Sequence, residues 1–165
     1  MRDETRRHNF MISPELLRRY PFFGFLDATQ LKAVAMLSEE VEFEKDTTVF
    51  ETDQSAEALY VMVEGSIDLN YKVVDRDDPK IVKEFFISEL NPGDIFGLSA
   101  LLEPNRHTMT AKVLTPSKVI RIEATGLRAL EELDPKLQAG LMKATALAAM
   151  ERLRDTRVQL AAARA

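Results

Sequence analysis

The stretch "LYVMVEGSIDLNYKV", residues 59–73, limits the fold more than any other part of the chain. In its second half Ile67, Leu69, Tyr71 and Val73 fall on one face and Ser66, Asp68, Asn70 and Lys72 on the other. That period of two belongs to a half-buried β-strand. In its first half Leu59, Val61 and Val63 point inward, and Gly65 ends the run in a place suited to a turn. "DRDDPK" supplies a polar hairpin loop between Val74 and Ile81, and "NPGD" puts proline and glycine where a tight turn favours them. Short strands at regular spacing, with turn signals between them, predict an antiparallel sandwich or roll. The expectation is about eight strands, over roughly residues 40–123. The chain of 165 residues has the length of one domain, and 45% hydrophobic with 30% charged residues excludes a disordered chain.

Helices are expected on both sides of the roll. "SPELL" places Ser13 as a cap, Pro14 at the first helical position and Glu15 behind it. This helix must stop before Pro21, where proline would remove a hydrogen bond. "PFFGFLD" reads as an aromatic wedge against the core, after which Asp27 caps a second helix with Gln30 in capping-box position. Leu31, Val34 and Ala35 form the buried face of that helix. Near the other end Asp134 and Pro135 open a long helix interrupted only by Gly140.

Two stripes run along this last helix. Leu137, Leu141, Ala144 and Ala148 are placed to pack back onto the roll. Ala139, Met142, Ala146, Ala149, Leu153, Thr156, Leu160 and Ala163 step by threes and fours as a heptad seam for a second chain. A single amphipathic helix packed within a monomer is the alternative. Arg152, Arg154 and Arg157, beside Glu151 and Asp155, read as intrahelical ion pairs or as flanks of the seam. The expected division is a helical segment over 1–38, the roll over 39–133, and a dimerisation helix over 134–165.

Several function classes drop out. A net charge of −5 argues against nucleic-acid binding by general electrostatics. The sequence has no apolar run long enough for a membrane span, and "MRDETRRHNFMISPE" has no apolar core of an export signal. Absence of cysteine removes disulfides and thiolate chemistry and is compatible with a reducing cytoplasm, the location expected here. Two histidines, His8 and His107, far apart in sequence, do not make a cupin-type metal site or a nucleophilic triad. The aspartates of "DRDDPK" read as a plain exposed hairpin. The chain is therefore expected not to be an enzyme.

One stretch does carry chemistry. In "FGLSALLEPNRHTMTA", residues 96–111, a glycine opens a short helix of small residues and a basic pair follows a loop. The N–H groups from Gly97 to Ala100 begin that helix and can face an anion, and Ser99 and Thr108 add hydroxyls.

The ordered set of "LYVMVEGSIDL", "LNPGDIFG", a short helix, "VIRIEATGLRAL" and a long helix resembles the cyclic nucleotide-binding domain family, of catabolite activator protein type. The resemblance covers roughly residues 16–160. It implies an α+β fold, an antiparallel double-sheeted β-roll of jelly-roll or cupin-like form, flanked by N-terminal helices and a long C-terminal helix. It also implies a small-molecule effector, a cyclic monophosphate in the family at large, bound in a phosphate cassette. Many bacterial members are homodimeric regulators paired through the long helix.

The cassette departs from the family pattern of Phe-Gly-Glu followed later by arginine. Phe96 and Gly97 match, but Leu98 replaces the glutamate that accepts a bond from the ribose hydroxyl. Counting from "FG", or back from Thr115 and Val119, puts His107 at the arginine position; Arg106 reaches it only if the loop is one residue shorter. Neighbours in a strand point to opposite faces, so one of the two faces the pocket and the other does not. The candidate ligand-binding residues are Phe96, Gly97, Leu98, Ser99, Ala100, Arg106, His107 and Thr108. The expected function is a non-enzymatic regulatory or ligand-sensing module with weakened binding of cAMP and cGMP. A genuine cyclic nucleotide sensor is the alternative, as is the sensor part of a transcription regulator. "LAAARA" after residue 160 leaves no room here for a helix-turn-helix, so no direct nucleic-acid binding is expected.

Overall fold

The computed structural model describes residues 5–165; Met1–Glu4, where the charged N-terminal reading begins, lie outside the described residues. The elements follow as β1 (Thr5–Met11), α1 (Pro14–Arg18), a 3-10 turn (Pro21–Phe23), α2 (Ala28–Met36), β2 (Ser38–Phe43) and β3 (Thr48–Phe50). After these come β4 (Ala58–Val74), β5 (Val82–Leu90), β6 (Ile95–Phe96) and a second 3-10 turn (Leu98–Leu101). The chain ends in β7 (Thr110–Glu123), α3 (Ala124–Leu133) and α4 (Pro135–Arg164).

Among the described residues seven strands, against about eight expected, join one antiparallel set in the order β1-β2-β7-β4-β5, with β3 on β7 and β6 on β4. The antiparallel β-roll flanked by helices is thus present. One strand, β1, precedes the helices, in a segment expected to be helical. It pairs Thr5 with Phe43 and His8 with Glu40, and its charged sequence carries no apolar alternation to announce it.

The long strand β4 is buried on both faces, so its alternation serves two cores. Leu59 and Val61 join Ile120, Ile122, Leu17, Phe23, Leu31, Leu127, Leu137 and Leu141 in a cluster beneath the helices. Tyr60 and Met62 instead join Val41, Phe50, Phe96 and Val119 inside the roll. Beyond Gly65 the parity changes, and the odd-numbered Ile67 and Leu69 point into the roll. Gly65 is therefore a bulge within β4 rather than the turn its sequence suggested. It has φ 94°, the register with β7 slips on both sides of it, and a side chain there would meet the Ser117 hydroxyl and the Pro116 carbonyl. The expected face of Ile67, Leu69, Tyr71 and Val73 divides as well. The first two are buried, but Tyr71 and Val73 stand 49% and 42% exposed where the β4–β5 ribbon leaves the roll.

Local signals set the helix ends as the sequence indicated. The Glu15 N–H donates to Ser13 Oγ at 3.2 Å. Asp27 and Gln30 exchange both capping-box bonds, at 2.9 and 2.8 Å. Asp134 Oδ1 accepts from the Lys136 and Leu137 N–H groups at 3.1 Å, and its Oδ2 accepts from Gln30 Nε2 at 2.9 Å, joining α2 to the start of α4. Helix α4 runs on through Gly140, where any side chain would strike the ring of Phe25. The aromatic wedge is seated, with Phe23 fully buried. Full burial of a side chain of this kind contributes about 1.5–3 kcal/mol.

Candidate functional site

The cassette is assembled from the inside of the roll outward. Strand β6 lies on β4 with Phe96 opposite Tyr60, and the two rings stack at 5.0 Å. Gly97 then turns the chain with φ 74°, pressed against the Ala58 carbonyl and the Tyr60 ring, and the 3-10 turn follows. The Ala100 N–H donates to the Gly97 carbonyl at 3.0 Å, which leaves fewer N–H groups for an anion than the sequence suggested. Asn105, at φ 57°, places its amide nitrogen 3.1, 3.1 and 3.0 Å from the carbonyl oxygens of Ser99, Ala100 and Leu102.

That staple and a short ladder fix which basic residue faces in. Ala56 N–H donates to Asn105 O at 2.7 Å, His107 N–H to Gln54 O at 2.9 Å, and Asp53 N–H to His107 O at 2.8 Å. Ser55 and Arg106 face each other in a bridge. Strand alternation then sends Arg106 to the exposed side and His107 to the inside, only 4% exposed. The His107 ring stacks on Phe50 at 3.6 Å and 5° between planes, and burial holds its pKa down at about 4. At neutral pH it is an uncharged aromatic plate and not a cation.

The cavity beside these residues encloses about 370 Å³. Phe96, Gly97, Leu98, Ser99, His107 and Thr108 line it, with Phe50, Leu69, Leu102 and Met109 completing an apolar wall. Ala100 is buried behind the lining, and Arg106 lies outside it. No carboxylate lines the cavity among the described residues.

The far wall comes from α4, through Thr145, Ala149, Arg152, Leu153 and Thr156. Arg152 Nη1 donates to Ser88 Oγ at 3.0 Å and Nη2 to the Ile95 carbonyl at 3.2 Å. This corrects the sequence reading, which placed Arg152 in intrahelical ion pairs or beside a seam. Among the described residues no carboxylate lies within ion-pair distance of it. Thr145 is 3% exposed and its hydroxyl has no hydrogen-bond partner. Ala149, Leu153 and Thr156 were assigned to the heptad seam, yet they edge the cavity. A signal for the missed pair was present. At 3.6 residues per turn, Leu137 and Leu141 continue to Thr145, Ala148 and Arg152 on one face, which puts a hydroxyl and a guanidinium in the core-facing stripe.

The cyclic nucleotide-binding domain model matches residues 40–133. The chain belongs to the cyclic nucleotide-binding domain family. A solved structure from Geobacter metallireducens, described as a cyclic nucleotide-binding protein, is 34% identical with a TM-score of 0.76, covering 87% of this chain and 99% of that one. The N-terminal domain of a transcriptional regulator from Streptomyces coelicolor is 26% identical with a TM-score of 0.62, covering 88% and 94%. Among curated proteins, the CRP-like cAMP-activated global transcriptional regulator of Mycobacterium tuberculosis is 23% identical over 147 residues. That match takes in 89% of this chain and 61% of the regulator, so the chain spans about three fifths of that relative's length.

Proposed function

We propose that this chain is a non-enzymatic ligand-sensing module of the cyclic nucleotide-binding domain family whose cassette does not hold cAMP or cGMP tightly. One observation carries the reading: the residues at the family's acid and arginine positions are an apolar side chain and an uncharged, stacked histidine, Leu98 and His107. A hydrogen bond to a charged group is worth about 1.5–3 kcal/mol, so losing two weakens a nucleotide by roughly two to four decades. The direct check is thermal. A nucleotide with a Kd of about 10 μM, present at about 1 mM, stabilises by about 2.7 kcal/mol and raises Tm by roughly 5–10 °C. Both nucleotides are expected to leave Tm unmoved, and a rise of that size overturns the reading.

The same proposal includes a homodimer paired through α4. Support comes from the exposed apolar side chains of α4, with Met150 and Leu160 59% and 54% exposed. Among the described residues no helix is long and apolar enough to cross a membrane, and a cytoplasmic site of action forms part of the proposal. The match to the mycobacterial regulator favours a second reading, in which the module is the sensor portion of a regulator of that type.

A further inference from the structure

A guanidinium taken from water toward an apolar wall costs free energy unless an anion or a full set of acceptors meets it. Arg152 is in that position. Two neutral oxygens, Ser88 Oγ and the Ile95 carbonyl, take two of its five N–H groups, and burial works against its charge. Asp94, Glu151 and Asp155 act on it only from a distance, through the solvent-facing cavity next to this one. On the same helix Thr145, which lines this cavity, carries a buried hydroxyl with no partner. A buried unpaired hydroxyl carries its own desolvation cost. A half-buried guanidinium with N–H groups beyond its two hydrogen bonds thus borders a cavity that is otherwise mostly apolar and aromatic.

We propose that the cassette cavity binds a small monoanion with an aromatic or acyl body, whose charged end is received by Arg152 from α4 rather than by the cassette loop. This rests on the proposed loss of nucleotide binding and names the ligand class that replaces the nucleotide. The apolar body lies against Leu98, Phe96 and the His107–Phe50 stack. Because Arg152 belongs to α4, occupancy at the cavity is coupled to the seating of that helix.

The test uses anilinonaphthalene sulfonate and its uncharged counterpart phenylnaphthylamine as probes, titrated by fluorescence into the whole chain. The anionic probe is expected to bind at one per chain and more tightly than the neutral one. Arg152→Gln should reduce that preference by about tenfold to a hundredfold, Arg152→Lys should keep most of it, and Arg106→Ala should leave it unchanged. Leu98→Glu, which puts a carboxylate in the cavity without touching Arg152, should also abolish the preference; it decides the matter if Arg152→Gln does not fold by circular dichroism. Failure of the anionic probe to saturate at one per chain overturns the proposal. So does an unchanged preference in Arg152→Gln or Leu98→Glu, because an arginine that only latches α4 would alter stability and not the ratio of the two probes. The nucleotide reading fails separately, through a Tm rise with cAMP that leaves the probe ratio untouched.

Discussion

His107 is the residue on which the account turns, because its environment decides its charge. Burial drops its pKa from 6.5 in the unfolded chain to about 4. The unfolded state then binds more protons between these values, so stability rises with pH across that window. Read the other way, the contribution is fully present above about pH 6.5 and is lost as pH falls toward about 4. His107→Phe keeps a ring on Phe50 and removes the proton site. Its stability at pH 4.5 relative to pH 7.5, from urea melts, should fall less than that of the unmodified chain, by up to about 3 kcal/mol. Equal losses in the two proteins would show that the ring titrates normally. Gly65 offers a second residue-scale check. At φ 94° and against Ser117, Gly65→Ala should cost about 2 kcal/mol or more in the same assay. The alternation made an inward His107 legible as one of two options. It did not reveal the stack on Phe50, because that contact joins residues far apart in the chain.

At the scale of elements, the ends of helices were legible because caps are local chemistry. Ser13, Asp27, Gln30 and Asp134 bond within three residues of themselves, and the sequence places those partners by spacing alone. The bulge in β4 was not legible, since a glycine before a polar alternation reads equally as a turn, and only pairing with β7 decides. Strand β1 escaped for a related reason, being held by its partner β2 and not by an apolar pattern of its own. The cassette turn is held through side-chain bonds, and Asn105 joins three carbonyls of it. Arg128 adds a bond from α3, its Nη1 donating to the Ala100 carbonyl at 2.8 Å. Asn105→Ala should therefore destabilise by about 1–3 kcal/mol and speed hydrogen exchange at the amides of residues 102, 103 and 105–107 before that of β4. Protection unchanged in that segment would mean that the ladder to residues 53–56 suffices alone.

For the whole molecule, α4 and the β4–β5 ribbon carry much of the apolar surface that the fold leaves open, with Phe85 and Phe86 each 50% exposed on the ribbon. The heptad reading drew Met142, which packs on the core, and the cavity-edging Ala149, Leu153 and Thr156 into its seam, because a helix of alternating alanines does not state which side the roll occupies. Glutamate at both Met150 and Leu160 should give a monomer in sedimentation velocity while the far-UV spectrum of the roll is retained; a monomeric unmodified chain at high concentration would contradict the pairing. Calorimetric titration of the unmodified chain with cAMP measures the proposed loss of nucleotide binding at this cassette. Without an acid at Leu98 or a charge at His107, no saturable heat is expected below about 100 μM nucleotide. A one-to-one isotherm with a Kd of about 1 μM would contradict the account.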